Sequence, residues 1–370
     1  MNIDALVPEY VRNFQAYIPS KPDHLLMKEY GIPFLYRLNN NENFLGPPDA
    51  ACRIIEAFEA GNSLVYPSGD SYDLRSALAV KLGISEDRLI VGNGSCEVIT
   101  AVIKSLCESG DNIITADKTF AVYEWVAEFS GIDARLVPLH NYTFDPQAML
   151  DRIDRRTKII FLCNPNNPTG TYWPEPLLIS FIEQAGEDRI IVIDEAYREY
   201  VETTDYPDGL KLMERFPNVV VFRTFSKMYA LAGLRVGYLA GVEELVAAVR
   251  RTFVAYSVNT LAQQAARAAI SNDTEHITQT RKMVREARIF LKQVCEQIDL
   301  DCIGTEGNYL MIRSPVNDLL MYRRLMKKGM MVRSMTGFRF PGWIRVTLRE
   351  EAVMAAFANV LSDETKAVRG

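Results

Sequence analysis

Val219-Val220-Val221-Phe222-Arg223-Thr224-Phe225-Ser226-Lys227-Met228-Tyr229-Ala230-Leu231-Ala232-Gly233-Leu234-Arg235-Val236-Gly237-Tyr238-Leu239-Ala240 places a polar loop between two short, β-branched apolar runs. Continuous apolar runs of this length are strands of a sheet covered by helices on both faces. In such sheets ligands bind beyond the carboxyl ends of the strands. Lys227 stands just past the first run, with Ser226 beside it and Arg235 eight residues on. An amine there can hold a carbonyl compound as a Schiff base, and a hydroxyl with a guanidinium can hold a phosphate. A lysine that only meets solvent has the same local sequence; the company it keeps elsewhere decides between the two.

Outward from this stretch the alternation repeats. Leu89–Val91, Asn112–Thr115, Arg135–Val137, Lys158–Leu162 and Ile190–Ile193 are further short runs, and Val219–Phe222 and Val236–Leu239 bring the number to seven. Behind Gly92-Asn93-Gly94-Ser95, the residues Val98, Ile99, Val102, Ile103, Leu106 and Cys107 share one helical face, with Gly110 as the expected stop. Asp145-Pro146 is an N-cap followed by proline at the first helical position. Strands interleaved with helices predict an α/β fold whose large domain is doubly wound, mostly parallel and seven-stranded.

After about residue 241 the character changes. Glu243–Arg251, Thr260–Ile270 and Thr274–Ile298 read as helices. Short strands follow at Leu300–Ile303, Tyr309–Ile312, Met330–Arg333 and Ile344–Thr347, with helices near Asn317–Lys328 and Glu351–Leu361. This predicts a smaller α+β domain. Residues 1–45 hold Pro8, Pro19, Pro22 and Pro33, little periodicity, and aromatics such as Tyr10, Phe14, Tyr17, Tyr30, Phe34 and Tyr36 that need a surface to pack on. The expected division is an N-terminal arm over 1–45, laid on the small domain and on a second subunit, a large domain over 46–250 and a small domain over 251–370.

Composition narrows the partners. The chain has 370 residues, 48% hydrophobic and 24% charged, as in a soluble globular enzyme. A net charge of -6 argues against nucleic acid or an anionic membrane as the main partner. The six cysteines include no C-x-x-C pair and are expected to be reduced thiols of a cytoplasmic protein. Three histidines without ligand spacing predict no metal. The start lacks a basic segment and an apolar stretch, so no signal peptide is expected.

Four loops carry possible chemistry. Gly92-Asn93-Gly94 before a helix offers backbone amides and a favourable partial charge to a phosphate, although Glu97 occupies the place of a dinucleotide motif's third glycine. Cys163-Asn164-Pro165-Asn166-Asn167-Pro168-Thr169-Gly170 is a loop stiffened by two prolines, from which Asn167 can donate to a ring oxygen. Asp194, ending the run Ile190–Ile193, is a carboxylate that burial makes costly unless a cation meets it, and a protonated pyridine is such a cation. Tyr197 lies three residues on. A metal carboxylate, which no second ligand cluster supports, and a helix cap are the competing readings of Asp194. Phe120 opens a helix after the run Asn112–Thr115 and can stack on a ring, or simply fill the core. A phosphate cradle, a ring donor, a pyridinium partner and an amine together describe a site for pyridoxal 5'-phosphate.

The set Leu38-Asn39-x-Asn41-Glu42-Asn43, Tyr66-Pro67-x-Gly69, Gly92-Asn93-Gly94-Ser95, Asn164-Pro165-Asn166-Asn167-Pro168-Thr169-Gly170, Asp194-Glu195-Ala196-Tyr197 and Ser226-Lys227 to Arg235 resembles the fold-type-I pyridoxal-phosphate aminotransferases, and among them the histidinol-phosphate aminotransferases. The likeness covers nearly the whole chain. It implies that Lys227 binds the cofactor aldehyde and moves the proton, and that Asp194 pairs with the pyridine nitrogen. Asn167 and Tyr197 would hold the ring oxygen, and Phe120 would stack on the ring. Ser95, Cys96, Ser226 and Arg235 would bind the phosphate, joined by Tyr66 from the neighbouring subunit of a homodimer. Arg345 and Arg333 would grip the substrate's anionic groups, and Asn43, Tyr17 and Tyr256 would line its pocket. Cys96 stands where the family usually carries aspartate, Ala255 replaces a usual proline, and Val346–Glu350 is shorter than the usual turn.

The implied activity is a transferase of nitrogenous groups in histidine biosynthesis, an amino-acid biosynthetic route. Histidinol phosphate and 2-oxoglutarate would give imidazole acetol phosphate and glutamate. The alternatives are transamination of another aromatic or phosphorylated amine, or decarboxylation, for instance of threonine phosphate. A non-enzymatic cofactor-binding protein is a third, and the complete set of reactive groups argues against it.

Overall fold

The computed structural model describes residues 2–16 and 19–369. Its strands in chain order are β1 (Tyr36–Arg37), β2 (Leu89–Gly92), β3 (Asn112–Ala116), β4 (Asp133–Val137), β5 (Thr157–Cys163), β6 (Ile190–Asp194), β7 (Val219–Thr224), β8 (Gly237–Ala240), β9 (Cys302–Ile303), β10 (Tyr309–Arg313), β11 (Met330–Met331), β12 (Arg333–Ser334) and β13 (Trp343–Thr347). The large sheet has seven strands in the order β2-β8-β7-β6-β5-β3-β4. All its pairings are parallel except those of β8, which runs antiparallel to both neighbours. Every residue of β2, β3, β7 and β8 is buried, because helices cover both faces. All seven expected runs are therefore strands of one sheet, as a doubly wound domain requires.

Register brings three strand ends level. Cys163 on β5 lies beside Asp194 on β6, and Asp194 lies beside Phe222 on β7. The loops leaving these strands, 164–170, 195–200 and 225–235, consequently start side by side at the carboxyl edge. The helix Ser95–Leu106 begins at Gly94, whose φ of 77° places the chain in the left-handed region. It stops at Leu106, four residues before the expected Gly110, with Cys107 already extended. Asp145 caps Pro146–Leu150 as expected, its Oδ1 accepting from the Ala148 amide at 3.0 Å.

A four-stranded antiparallel sheet, β12-β13-β10-β9, lies with the 24-residue helix Thr274–Gln297 and the helices Asp318–Met326 and Glu351–Arg369. The expected strand over Met330–Arg333 is two. β11 pairs in parallel with β1 of the arm, and β12 pairs with β13. Helix Thr260–Ser271 packs on Asp49–Glu56 and Tyr72–Leu82. The last helix runs eight residues beyond the expected Leu361, to Arg369, since no glycine or proline interrupts it.

The arm has more regular structure than its prolines suggested. Asp23–Tyr30 is a helix closed by Gly31 at φ 64°, and Glu9–Asn13 is a short one. Leu26 packs with Met326 and Met331, while Phe14 meets Phe129 edge-on at 5.5 Å. The arm's aromatics thus find part of the covering surface they call for. No helix among the described residues is long and apolar enough to cross a membrane.

Candidate active site

The level strand ends open into a cavity of about 390 Å³. Ser95, Cys96, Phe120, Asn167, Asp194, Tyr197, Ser226, Lys227 and Arg235, from the ends of the large sheet's strands and the segments after them, lie on its wall with Arg333 and Arg345 of the four-stranded sheet. The arm adds Asn40 and Asn41. A neighbouring cavity shares the wall formed by Phe120, Trp125 and Phe338.

One end is shaped for an anion. A Cβ on Gly237 would lie 2.7 Å from the Ser95 amide nitrogen, and one on Gly94 would strike the Arg235 guanidinium. Both glycines therefore let backbone and arginine approach the start of the Ser95 helix, where amides point outward. Arg235 Nη1 donates to Ser226 Oγ at 3.4 Å.

Asp194 sits at the floor, 2% exposed. Its Oδ2 accepts from the Tyr123 hydroxyl at 2.5 Å and its Oδ1 from the Ala196 amide at 3.0 Å. Burial pushes its carboxyl up to about 6, against the pull of these two donors. Among the described residues no cation pairs with it. A buried carboxylate of this kind fits a ligand that brings its own positive charge.

Lys227 is fixed by the arm: its Nζ donates to the Asn40 carbonyl at 2.7 Å. Burial brings its ammonium down to about 8; the Glu42 carboxylate opposes this, and the Arg345 and Arg235 guanidinium groups add to it. Tyr197 accepts at its hydroxyl from Asn41 Nδ2 at 2.9 Å. Asn166 stiffens the loop before Asn167, accepting from Thr119 at 2.7 Å and donating to Thr169 at 3.0 Å.

The far wall is cationic. Arg345, 4% exposed, donates to Asn167 Oδ1 and, at 2.7 Å, to the Asn39 carbonyl. Its guanidinium lies 5.6 Å from the Tyr309 ring centre and 5.5 Å from that of Phe338. Arg333 lies 5.6 Å from the same Phe338 ring. Among the described residues neither arginine forms an ion pair with a carboxylate.

Three expected site residues lie elsewhere. Asn43 donates to the Met228 carbonyl at 2.8 Å and does not line the cavity. Tyr66 and Tyr256 meet at a tilt, their ring centres 5.3 Å apart, on the surface, 86% and 55% exposed. Leu64, Val65 and Val254 are exposed as well. Tyr17 lies outside the described residues. Asn40, Asn41 and Tyr123 are site residues that sequence reasoning gave no role; the asparagine-rich segment was the signal for the first two, and no local pattern marks Tyr123.

An anion cradle, a cavity of about 390 Å³, an uncompensated carboxylate and an amine of depressed basicity fit pyridoxal phosphate. Residues 35–361 match the family described as aminotransferase class I and II. The chain is 38% identical over 358 residues to histidinol-phosphate aminotransferase 2 of Carboxydothermus hydrogenoformans, covering 96% of this chain and 98% of the relative. It is 36% identical over 357 residues to histidinol-phosphate aminotransferase of Moorella thermoacetica, covering 96% and 92%. In structure it is similar to the Sinorhizobium meliloti histidinol-phosphate aminotransferase in complex with pyridoxal-5'-phosphate, at a TM-score of 0.87 with 23% identity over 97% of each chain. The Thermotoga maritima aspartate aminotransferase superposes at 0.85 with 22% identity, covering 97% of this chain and 100% of the other, so the fold is common to both activities. The chain belongs to the class I and II aminotransferases, a pyridoxal-phosphate-dependent family.

Proposed function

We propose that the chain transfers the amino group of histidinol phosphate to 2-oxoglutarate, giving imidazole acetol phosphate and glutamate. The observation that carries this is the pair Arg345 and Arg333, two guanidinium groups without carboxylate partners among the described residues, on the wall of the cavity that also holds Lys227. Such a pair suits a phosphate or a second carboxylate, which both substrates bring. The relatives at 38% and 36% identity, both named histidinol-phosphate aminotransferases, support the choice of donor.

Bound pyridoxal phosphate supplies an aldehyde that captures the amine and a ring that withdraws electrons from the substrate carbon. The chain's residues do the rest. Asp194 holds the ring nitrogen protonated, which is what a buried carboxylate short of a cation favours. Asn167 and Tyr197 orient the ring oxygen, and Phe120 covers the ring. Ser95, Cys96, Ser226 and Arg235 hold the phosphate, with Cys96 contributing through its backbone amide. Lys227 Nζ would take the proton from the substrate carbon that bears the amine and would deliver a proton across the nitrogen, to the carbon that was the cofactor's aldehyde. An amine with pKa near 8 is matched to that work at neutral pH, being basic enough to accept the proton and partly free of one beforehand. Arg345 and Arg333 fix the anionic ends of both substrates, so one amine serves both half-reactions.

The exposed cluster of Leu64, Val65, Tyr66, Val254 and Tyr256 suits a second copy of the chain, with Tyr66 reaching its neighbour's phosphate site and Tyr256 its substrate pocket. In this reading the arm over 1–45, the large domain over 46–250 and the small domain over 251–370 meet around the cavity. Six free cysteines suit a cytoplasmic enzyme.

The test mixes purified protein with a panel of amino compounds and follows the absorbance change from the pyridoxal to the pyridoxamine form. Histidinol phosphate should drive it fastest, and 2-oxoglutarate should reverse it with release of glutamate. No change with histidinol phosphate while another amine reacts removes this donor. Carbon dioxide release without the pyridoxamine form points to decarboxylation.

A further inference from the structure

We propose that Tyr123 is a positioning residue for Asp194: its phenol, reaching in from a separate helix, fixes the carboxylate and keeps it ionised where the cofactor's ring nitrogen binds. The inference rests on the pyridoxal-phosphate reading of the cavity.

Tyr123 belongs to the helix Val122–Phe129 and is separated from Asp194 by 71 residues of chain. Its hydroxyl donates to Asp194 Oδ2 at 2.5 Å. Nothing about the ring leaves this contact to chance. It is fully buried, it stacks on Phe161 at 4.7 Å and 11°, and Phe120 meets its edge at 5.6 Å and 84°. Two aromatic contacts therefore aim the oxygen, and burial together with the Asp194 charge holds the phenol well above its usual range, so it stays a donor.

The groups facing Asp194 come from several elements. They are Tyr123 on its helix, Cys163 on β5, Cys96 on the helix Ser95–Leu106, and Glu195 and Tyr197 after β6. Lys227, Arg235 and Arg345 stand on the same cavity wall. Among the described residues only the phenol and the Ala196 amide donate to the carboxylate, and of these the phenol can be removed without altering the backbone. Burial alone favours the neutral acid. Removing the phenol lets burial prevail over a wider pH range. The cofactor's protonated ring nitrogen then meets a carboxylic acid, and binding has to expel a proton.

The experiment titrates cofactor-free protein with pyridoxal phosphate across the acid and neutral range, following cofactor absorbance and tryptophan fluorescence. Tyr123→Phe should raise Kd at neutral pH about tenfold or more, the range for a hydrogen bond to a charged group. It should also move the acid limb of affinity against pH to higher pH. Phe161→Leu, which removes the stack but keeps the hydroxyl and the Phe120 contact, should lower the unfolding midpoint and move the acid limb less than Tyr123→Phe does. Kd within twofold of wild type together with an unmoved acid limb in Tyr123→Phe overturns the proposal. Equal movement of the limb in both variants overturns it too, since packing alone would then account for the effect. A wild-type chain that takes up no cofactor removes the cofactor reading itself, a result distinct from an indifferent Tyr123→Phe.

Discussion

Asp194 and Arg345 show how much of the chemistry is burial. Asp194's carboxyl is raised from 3.8 to about 6, so the folded chain binds a proton there more readily than the unfolded chain does. The sign follows: between about 4 and about 6 the native state holds more protons, and its stability falls as pH rises through that window. Asp194→Asn is therefore expected to stabilise the cofactor-free protein by about 3 kcal/mol above the window and by little below it, measured by urea unfolding at a series of pH values. Bound cofactor should reverse the order, because the wild-type carboxylate then has its cation. For the arginines, Arg345→Gln should lower kcat/KM for both substrates by roughly 10²–10³, since a buried guanidinium contact costs about 3–4 kcal/mol to lose. Arg333→Gln, at a less buried position, should lose less and lose it mainly with the phosphorylated donor. Equal losses with a donor lacking phosphate would show that Arg333 does not read that group.

At the scale of elements, the carboxyl edge of the large sheet is held by buried polar contacts as well as by its apolar strands. Glu195 follows β6 and accepts from Arg223 of β7 at 2.8 Å and from the Gly209 amide at 3.0 Å, with both ionic side chains almost inaccessible. Glu195→Gln removes the buried partner of Arg223 and leaves it the half-exposed Asp208 at 4.0 Å, and is expected to cost about 2–4 kcal/mol in urea unfolding. Gly237→Ala should cost about 1–3 kcal/mol and weaken phosphate affinity, because its methyl group would press on the Ser95 amide. Tight pyridoxal-phosphate binding by Gly237→Ala would contradict that cradle. The strands of this sheet were legible because burial on both faces makes them plain apolar runs. The helix Asp23–Tyr30 was not, since Pro19, Pro22 and Pro33 surround it and its buried face is little more than Leu26. The single run Met330–Arg333 hid two strands because local pattern says nothing about a change of partner at Val332.

For the whole molecule, the cleft is closed by contacts between distant parts. Arg339, in the loop before β13, donates to both oxygens of Glu124 on the helix behind Phe120, at 2.6 and 2.8 Å. The arm crosses the cleft and supplies Asn39, Asn40 and Asn41. What remains open is the apolar cluster at Leu64, Val65 and Tyr66, 86%, 75% and 86% exposed. Sedimentation should find a dimer, and Leu64→Glu should shift it towards monomer and lower activity in parallel. A fully active monomer would show that Tyr66 serves no neighbouring site.

The sequence by itself determined the seven strands, the loops that follow them, and the ionisable groups those segments carry, Lys227, Asp194 and Arg235 among them. Each of these depends on a local run of apolar residues or on what a side chain is. Tertiary structure alone decided that the Asn40 carbonyl meets Lys227 while Asn43 turns to Met228, that Tyr123 meets Asp194, and that Arg345 lies between Tyr309 and Phe338. Those contacts join residues far apart in the chain, and their geometry is set by packing, which no spacing along a single segment records.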